Sequence, residues 1–137
     1  MTYSFSSEPT RMDRDRVFAW IGEQSYWAQG RARETQERAM DGSLNYGMFH
    51  DATGGQVAYA RVVTDGATFA WLCDVFVDES VRGEGVGVAL IEGVCEHLDS
   101  FGLRRIMLAT RDAHGLYAKF GFEAVADPEM WMARIAS

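Results

Sequence analysis

Cysteine and proline are both scarce, at two residues each in a chain of 137. Cys73 and Cys95 lie far apart with no C-x-x-C spacing, so neither a disulfide-stapled secreted scaffold nor a cysteine metal knuckle is expected, and both are read as reduced core residues. No His/Cys cluster has metal-ligand spacing, and no metal is expected. Few prolines and no low-complexity tract exclude a linker-rich or disordered class. No apolar run approaches the roughly 18 residues of a membrane span, and Met1 to Thr10 lacks the basic-then-apolar order of a signal peptide, so a cytoplasmic location without membrane association is expected. Positive charge is also short: 13 Lys+Arg against 20 Asp+Glu leave −7, which excludes a broad face for nucleic acid. Any anionic partner must therefore be held locally.

What is abundant is apolar: 47% of residues are hydrophobic and 12% aromatic, enough for a self-sufficient core. Without repeats or linkers, residues 3–135 read as a single domain. Periodicity predicts a short strand at Tyr3 to Phe5, a helix capped by Asp13 and ending near Gly22, and a second helix over Arg33 to Met40. Three antiparallel strands follow, around Leu44 to Met48, Gln56 to Val63 and Thr68 to Val77. In the last, alternation assigns Phe69, Trp71, Cys73, Val75 and Val77 to one face and Ala70, Leu72, Asp74 and Phe76 to the other, both apolar except at Asp74. An amphipathic helix over Val88 to Leu98, a strand at Arg105 to Ala109 and a short helix stopped by Gly121 come next. Two further strands are expected at Phe122 to Val125 and Met130 to Ile135.

Between the third of those strands and its helix stands Val81-Arg82-Gly83-Glu84-Gly85-Val86-Gly87-Val88. Its glycines allow close backbone approach, and the free N–H groups at the helix start favour an anion such as a phosphate, with Arg82 at the entrance; a turn tightened only for packing is the competing reading. Val88-Ala89 where a phosphate-binding loop needs Lys-Ser/Thr excludes a Walker A motif. Val88 at the third glycine position argues against a dinucleotide fingerprint.

The turn resembles the R-x-x-G-x-G signature of GNAT-type N-acetyltransferases, with Arg82, Gly85 and Gly87 in the motif positions behind the strand Val75-Phe76-Val77. Downstream, Thr110 to Phe122 is similar to that family's N-x-x-A-x-x-L-Y-x-x-x-G-F segment at Ala113, Leu116, Tyr117, Gly121 and Phe122, with Thr110 in place of the asparagine. The firm part spans Phe69 to Phe122, and Tyr26 to Arg38 and Thr64 to Val77 look like a small bacterial subgroup. The resemblance implies an α+β fold, a mixed and mostly antiparallel sheet of about six to seven strands flanked by about four helices. It implies acetyl-CoA as co-substrate, with the pyrophosphate on Arg82, Gly83, Glu84, Gly85, Val86 and Gly87, the pantetheine arm along Val75, Phe76 and Val77, and Thr110 and Tyr117 also at the cofactor.

The implied reaction is direct acetyl transfer to the amine of a small molecule by a monomer or homodimer; a CoA-binding sensor without turnover, or a glycine-rich interaction domain, is the alternative. Asp74 is the candidate base, since burial raises a carboxyl pKa, against the reading of a carboxylate paired with an arginine at a bulge. Tyr117 is the candidate acid for the departing thiolate, and His114 either serves CoA or faces solvent. Tyr26, Trp27, Arg31 and Arg33 are the candidate acceptor residues, or else a packed and solvated loop.

Overall fold

The computed structural model describes residues 2–136. Five strands form one sheet in the order β1-β2-β3-β4-β5: β1 (Tyr3–Ser6), β2 (Leu44–His50), β3 (Gln56–Thr64), β4 (Phe69–Val77) and β5 (Arg105–Met107). The first four are antiparallel neighbours, β2, β3 and β4 through short turns and β1 to β2 across α1 and α2, and β5 joins β4 in parallel through a crossover helix. The helices are α1 (Arg14–Phe18), continuing into a π-helical turn at Ala19–Gln24, α2 (Arg33–Asp41), α3 (Val86–Asp99) and α4 (His114–Ala118).

The sheet separates two cores. On one face Leu90, Ile91, Val94 and Leu98 of α3 pack on Tyr46, Met48, Ala60, Val62 and Leu72. On the other, Val17, Trp20 and Ile21 of α1 and its continuation pack with Met40 of α2 on Phe49, Tyr59 and Phe76. Asp13 caps α1 as its sequence position predicts, its carboxylate accepting the Arg16 N–H at 3.1 Å.

Two expectations are corrected. The alternation read along β4 breaks at a β-bulge: Arg61 pairs with Cys73 and Tyr59 with Phe76, so Asp74 and Val75 stand opposite one residue, and Asp74 takes a left-handed φ of 50°. The extra residue inverts the pattern beyond it. Leu72 belongs to the α3 core and Phe76 to the opposite one, while Val75 and Val77 turn to the α3 side. Second, among the described residues no strand forms beyond β5, which makes five rather than six or seven. Residues 122–136 hold only a single 3-10 turn at Pro128–Met130. A cavity of about 1110 Å³ lies between the outer side of β5, α4 and this segment, so the strand-like residues have no ladder partner. Met130, Met132 and Ile135 are accordingly exposed.

Candidate active site

The bulge and the crossover together open a gap in the sheet. β4 pairs with β5 only from Phe69–Arg105 to Trp71–Met107, after which the two strands diverge. The edge of β4 from Leu72 onward thus faces a pocket of about 360 Å³, closed on the other side by Leu108 to Thr110, Ala113 and Tyr117. Divergent parallel strands leave unpaired backbone N–H and C=O groups, which an extended ligand can use as an added strand would.

The glycine turn lies at the end of that edge. Gly83 and Gly85 have φ of 86° and 81°, where a side chain is strained, and a Cβ at either would meet open space. Gly85 is the N-cap of α3 and has no side-chain cap. Of residues 83–88, only Glu84 donates its amide within the chain, to Val81 O at 3.3 Å; among the described residues those of Gly83, Gly85, Val86, Gly87 and Val88 have no acceptor. Such a cluster at the start of a four-turn helix has the donors and the dipole end that an anion such as a diphosphate requires. Arg82 is fixed above Phe76 by its Nε–H, which donates to Val77 O at 3.1 Å, leaving its terminal nitrogens for an anion. Glu84, the one acid in the turn, accepts from Tyr3 Oη at 2.9 Å.

Thr110, in the asparagine position, does not cap α4: its hydroxyl accepts the Ala113 N–H at 3.1 Å and holds the loop ahead of the helix, whose N-cap Ala113 has no side-chain cap. That helix delivers Tyr117, buried at 7% exposure and lining both the gap between the strands and the larger cavity. Burial, assisted by Tyr26, pushes its phenol up to about 12, so it stays protonated at neutral pH. His114 lines only the larger cavity.

Asp74 behaves otherwise than its burial alone suggests. Trp27 Nε1 donates to its Oδ1 at 2.8 Å, and Arg31 Nη1 and Arg61 Nε donate to its Oδ2 at 2.8 and 2.9 Å. Burial pulls its pKa upward, but the donors of Arg31, Trp27 and Arg61 outweigh that pull and hold the carboxyl below its usual range. The expected rise toward a neutral-pH base is therefore reversed, and the bulge-bound, arginine-paired carboxylate is what the chain builds.

The acceptor-loop candidates divide. Tyr26, Trp27 and Arg31 line the pocket, brought there by the π-helical turn, whose end is tied by Ser25 N–H to Trp20 O and by Ser25 Oγ to Ile21 O. Arg111 stacks over Tyr26 with its guanidinium carbon 3.8 Å from the ring centroid. Arg33 is a correction: it pairs with Asp15 and Glu37, at 2.7 and 2.8 Å, joining α1 to α2, and has no place in the pocket lining. Sequence reasoning missed Arg61 and Trp71. Arg61 carried a usable signal, a charge inside the apolar run of β3, the same signal that singled out Asp74. Trp71 carried none, being one aromatic among several.

The profile of the acetyltransferase (GNAT) family matches residues 14–122. A GNAT-family protein from Xanthomonas campestris has a crystal structure similar over 99% of this chain and 94% of its own, at 41% identity and a TM-score of 0.92. YhbS of Escherichia coli, named as an uncharacterised N-acetyltransferase, is 28% identical over 112 residues, covering 77% of this chain and 66% of its own length. Rv2747 of Mycobacterium tuberculosis, solved with CoA, shares the fold over 89% of this chain and 72% of its own, at 16% identity and a TM-score of 0.73.

Proposed function

Since this chain belongs to the GNAT acetyltransferase family, we propose that it transfers an acetyl group from acetyl-CoA to the amine of a small molecule. The observation that carries the reading is the set of unpartnered amides at residues 83–88, adjoining the open edge of β4. Gly83, Gly85, Val86, Gly87 and the free end of Arg82 hold the pyrophosphate. The β4 edge at Val75, Phe76 and Val77 takes the pantetheine arm, which points the thioester toward the gap beside Tyr117. Acetyl-CoA supplies the activated acyl carbon.

The acceptor enters from the Trp27 and Arg31 side and must present a neutral nitrogen, because a protonated amine has no lone pair to give. The C–N bond forms as the C–S bond breaks. The nitrogen releases its proton to water in the pocket, since Asp74 is already claimed by three donors and kept charged. The departing sulfur takes a proton from Tyr117, whose hydroxyl then recovers one from solvent. A phenol raised to about 12 is reliably protonated at neutral pH, and because it is a weaker acid than the thiol it forms, the transfer is drawn to completion only as solvent reprotonates its hydroxyl.

The test is thermal stabilisation by CoA together with thiol release from acetyl-CoA across an amine panel. Stabilisation with turnover supports the reading. Stabilisation without turnover of any amine leaves a CoA-binding module, and the absence of both removes the proposed site.

A further inference from the structure

The charge count at the acceptor end of the pocket does not close. Arg31 and Arg61 converge on a single oxygen, Asp74 Oδ2, so two guanidiniums share one carboxylate. All three are withdrawn from solvent, with side-chain exposures of 21%, 13% and 2%. At the rim, Arg111 and Asp112 cancel, both of them exposed. One positive charge therefore remains in the wall of a pocket where an uncompensated charge is costly.

The donors to meet it are present. Arg31 spends Nη1 on Asp74 and Gln36 Oε1, and Arg61 spends Nε on Asp74 and Nη1 on Ser43 Oγ. Arg31 Nε and Nη2 and Arg61 Nη2 have no partner among the described residues, yet none is sealed from solvent, Gln36 Nε2 being the buried unpartnered atom among those residues. Beside these donors the rings of Trp27 and Trp71 are 42% and 36% exposed, large apolar faces left open in a pocket wall.

We propose that the acceptor is an α-amino acid with an aromatic or large apolar side chain, its carboxylate seated on Arg31 and Arg61 and its side chain lying on Trp27 and Trp71. The proposal rests on the transferase reading above and specifies its acceptor. A carboxylate matches the single surplus charge, whereas a phosphate dianion overshoots it and meets the fixed Asp74 anion. The two tryptophans give an apolar side chain the area that a short polar one leaves wet.

Paired acceptors test this: L-phenylalanine against phenethylamine, and L-tryptophan against tryptamine, with O-phosphoethanolamine as the phosphate arm. Thiol release from acetyl-CoA is followed under identical conditions. The expected result is a kcat/KM at least about tenfold higher for each carboxylate-bearing member, as befits a charge-assisted pair lost with the carboxylate. Arg31→Gln should collapse that preference toward unity, because it lowers kcat/KM for the carboxylate-bearing member of each pair far more than for its decarboxylated partner. Should the variant fold poorly, the wild-type protein gives the same discrimination: N-acetyl-L-phenylalanine should quench its tryptophan fluorescence at lower concentration than N-phenethylacetamide. Equal or better turnover of the decarboxylated amines, or a preference for O-phosphoethanolamine, overturns the acceptor assignment while acetyl transfer stands. CoA binding without turnover of any amino acid likewise overturns it alone. Failure to bind CoA overturns the reading beneath it.

Discussion

Replacing Asp74 with asparagine removes a charge and almost no volume, and asparagine tolerates the left-handed φ of 50° that the bulge imposes. The backbone is thus spared, and the perturbation acts on Arg31, Arg61 and Trp27. The asparagine oxygen can still accept from Trp27, but the amide then points its N–H groups at Arg31 Nη1 and Arg61 Nε, donor against donor. Two largely buried guanidiniums lose the one carboxylate they pair with among the described residues, and breaking a buried pair from one side costs about 3 kcal/mol, the lower end of the usual range because both arginines retain some solvent. For 137 residues, an unfolding entropy of about 2.1 cal/mol/K per residue converts this to a fall in Tm of about 10 °C. The assay is urea denaturation at pH 7 with a parallel thermal scan.

The pH dependence carries a second check on the same substitution. The folded carboxyl lies below its ordinary value of 3.8, so its contribution is full above that pH and fades as the pH drops through the lower folded value. Wild type and variant should therefore differ fully at pH 7 and converge only below about pH 4. A loss under about 1 kcal/mol at pH 7, or a variant as stable as the wild type that has lost the acidic limb of its kcat/KM profile, would refute the arginine-pairing account and return Asp74 to the role of a base.

Gly87→Val tests the diphosphate site more cleanly than Gly85→Val, because Gly87 has ordinary backbone angles and its Cβ would stand 3.5 Å from Val77 Cγ2, filling the approach to the β4 edge. CoA affinity by calorimetry should fall about tenfold or more, with Tm nearly unchanged; retained affinity would displace the pyrophosphate from this turn. Tyr117→Phe removes a hydroxyl with no partner among the described residues, so stability should hold while the thiol-release kcat falls about a hundredfold, and an unchanged kcat would remove Tyr117 from the proton path. Alkaline pH should destabilise the fold: burial raises Cys73 and Cys95 from 9.0 to about 11 and Tyr117 from 10.0 to about 12, so the unfolded chain gives up these protons first. Unfolding free energy should be level to about pH 9 and decline from there toward pH 12, and a flat profile across that window would contradict the burial of these groups.

Much of the architecture is local and legible in the sequence. The period-two runs of β2 and β3, the Asp13 cap and the four-residue recurrence of α3 are short-range signals, and each falls where its pattern predicts. So is the glycine turn, because positive φ and a bare helix start are written into residues 83–87 themselves. The segment beyond Gly121 shows the limit. Its alternation is strand-like, yet a strand exists only with a partner, and the cavity beside β5 denies it one. The proposed acceptor site depends still more on assembly. One inserted residue in β4 turns Asp74 into the same pocket as Arg61, 13 positions earlier, and Arg31, 43 positions earlier.

Composition and spacing alone supply the order of strands and helices and the glycine-rich turn at the start of α3, because those properties arise within a few residues of backbone. Whether the buried acid of β4 stays charged was decided by tertiary structure, since only the folded sheet carries two arginines to it, and their field outweighs the desolvation that its own strand foretells.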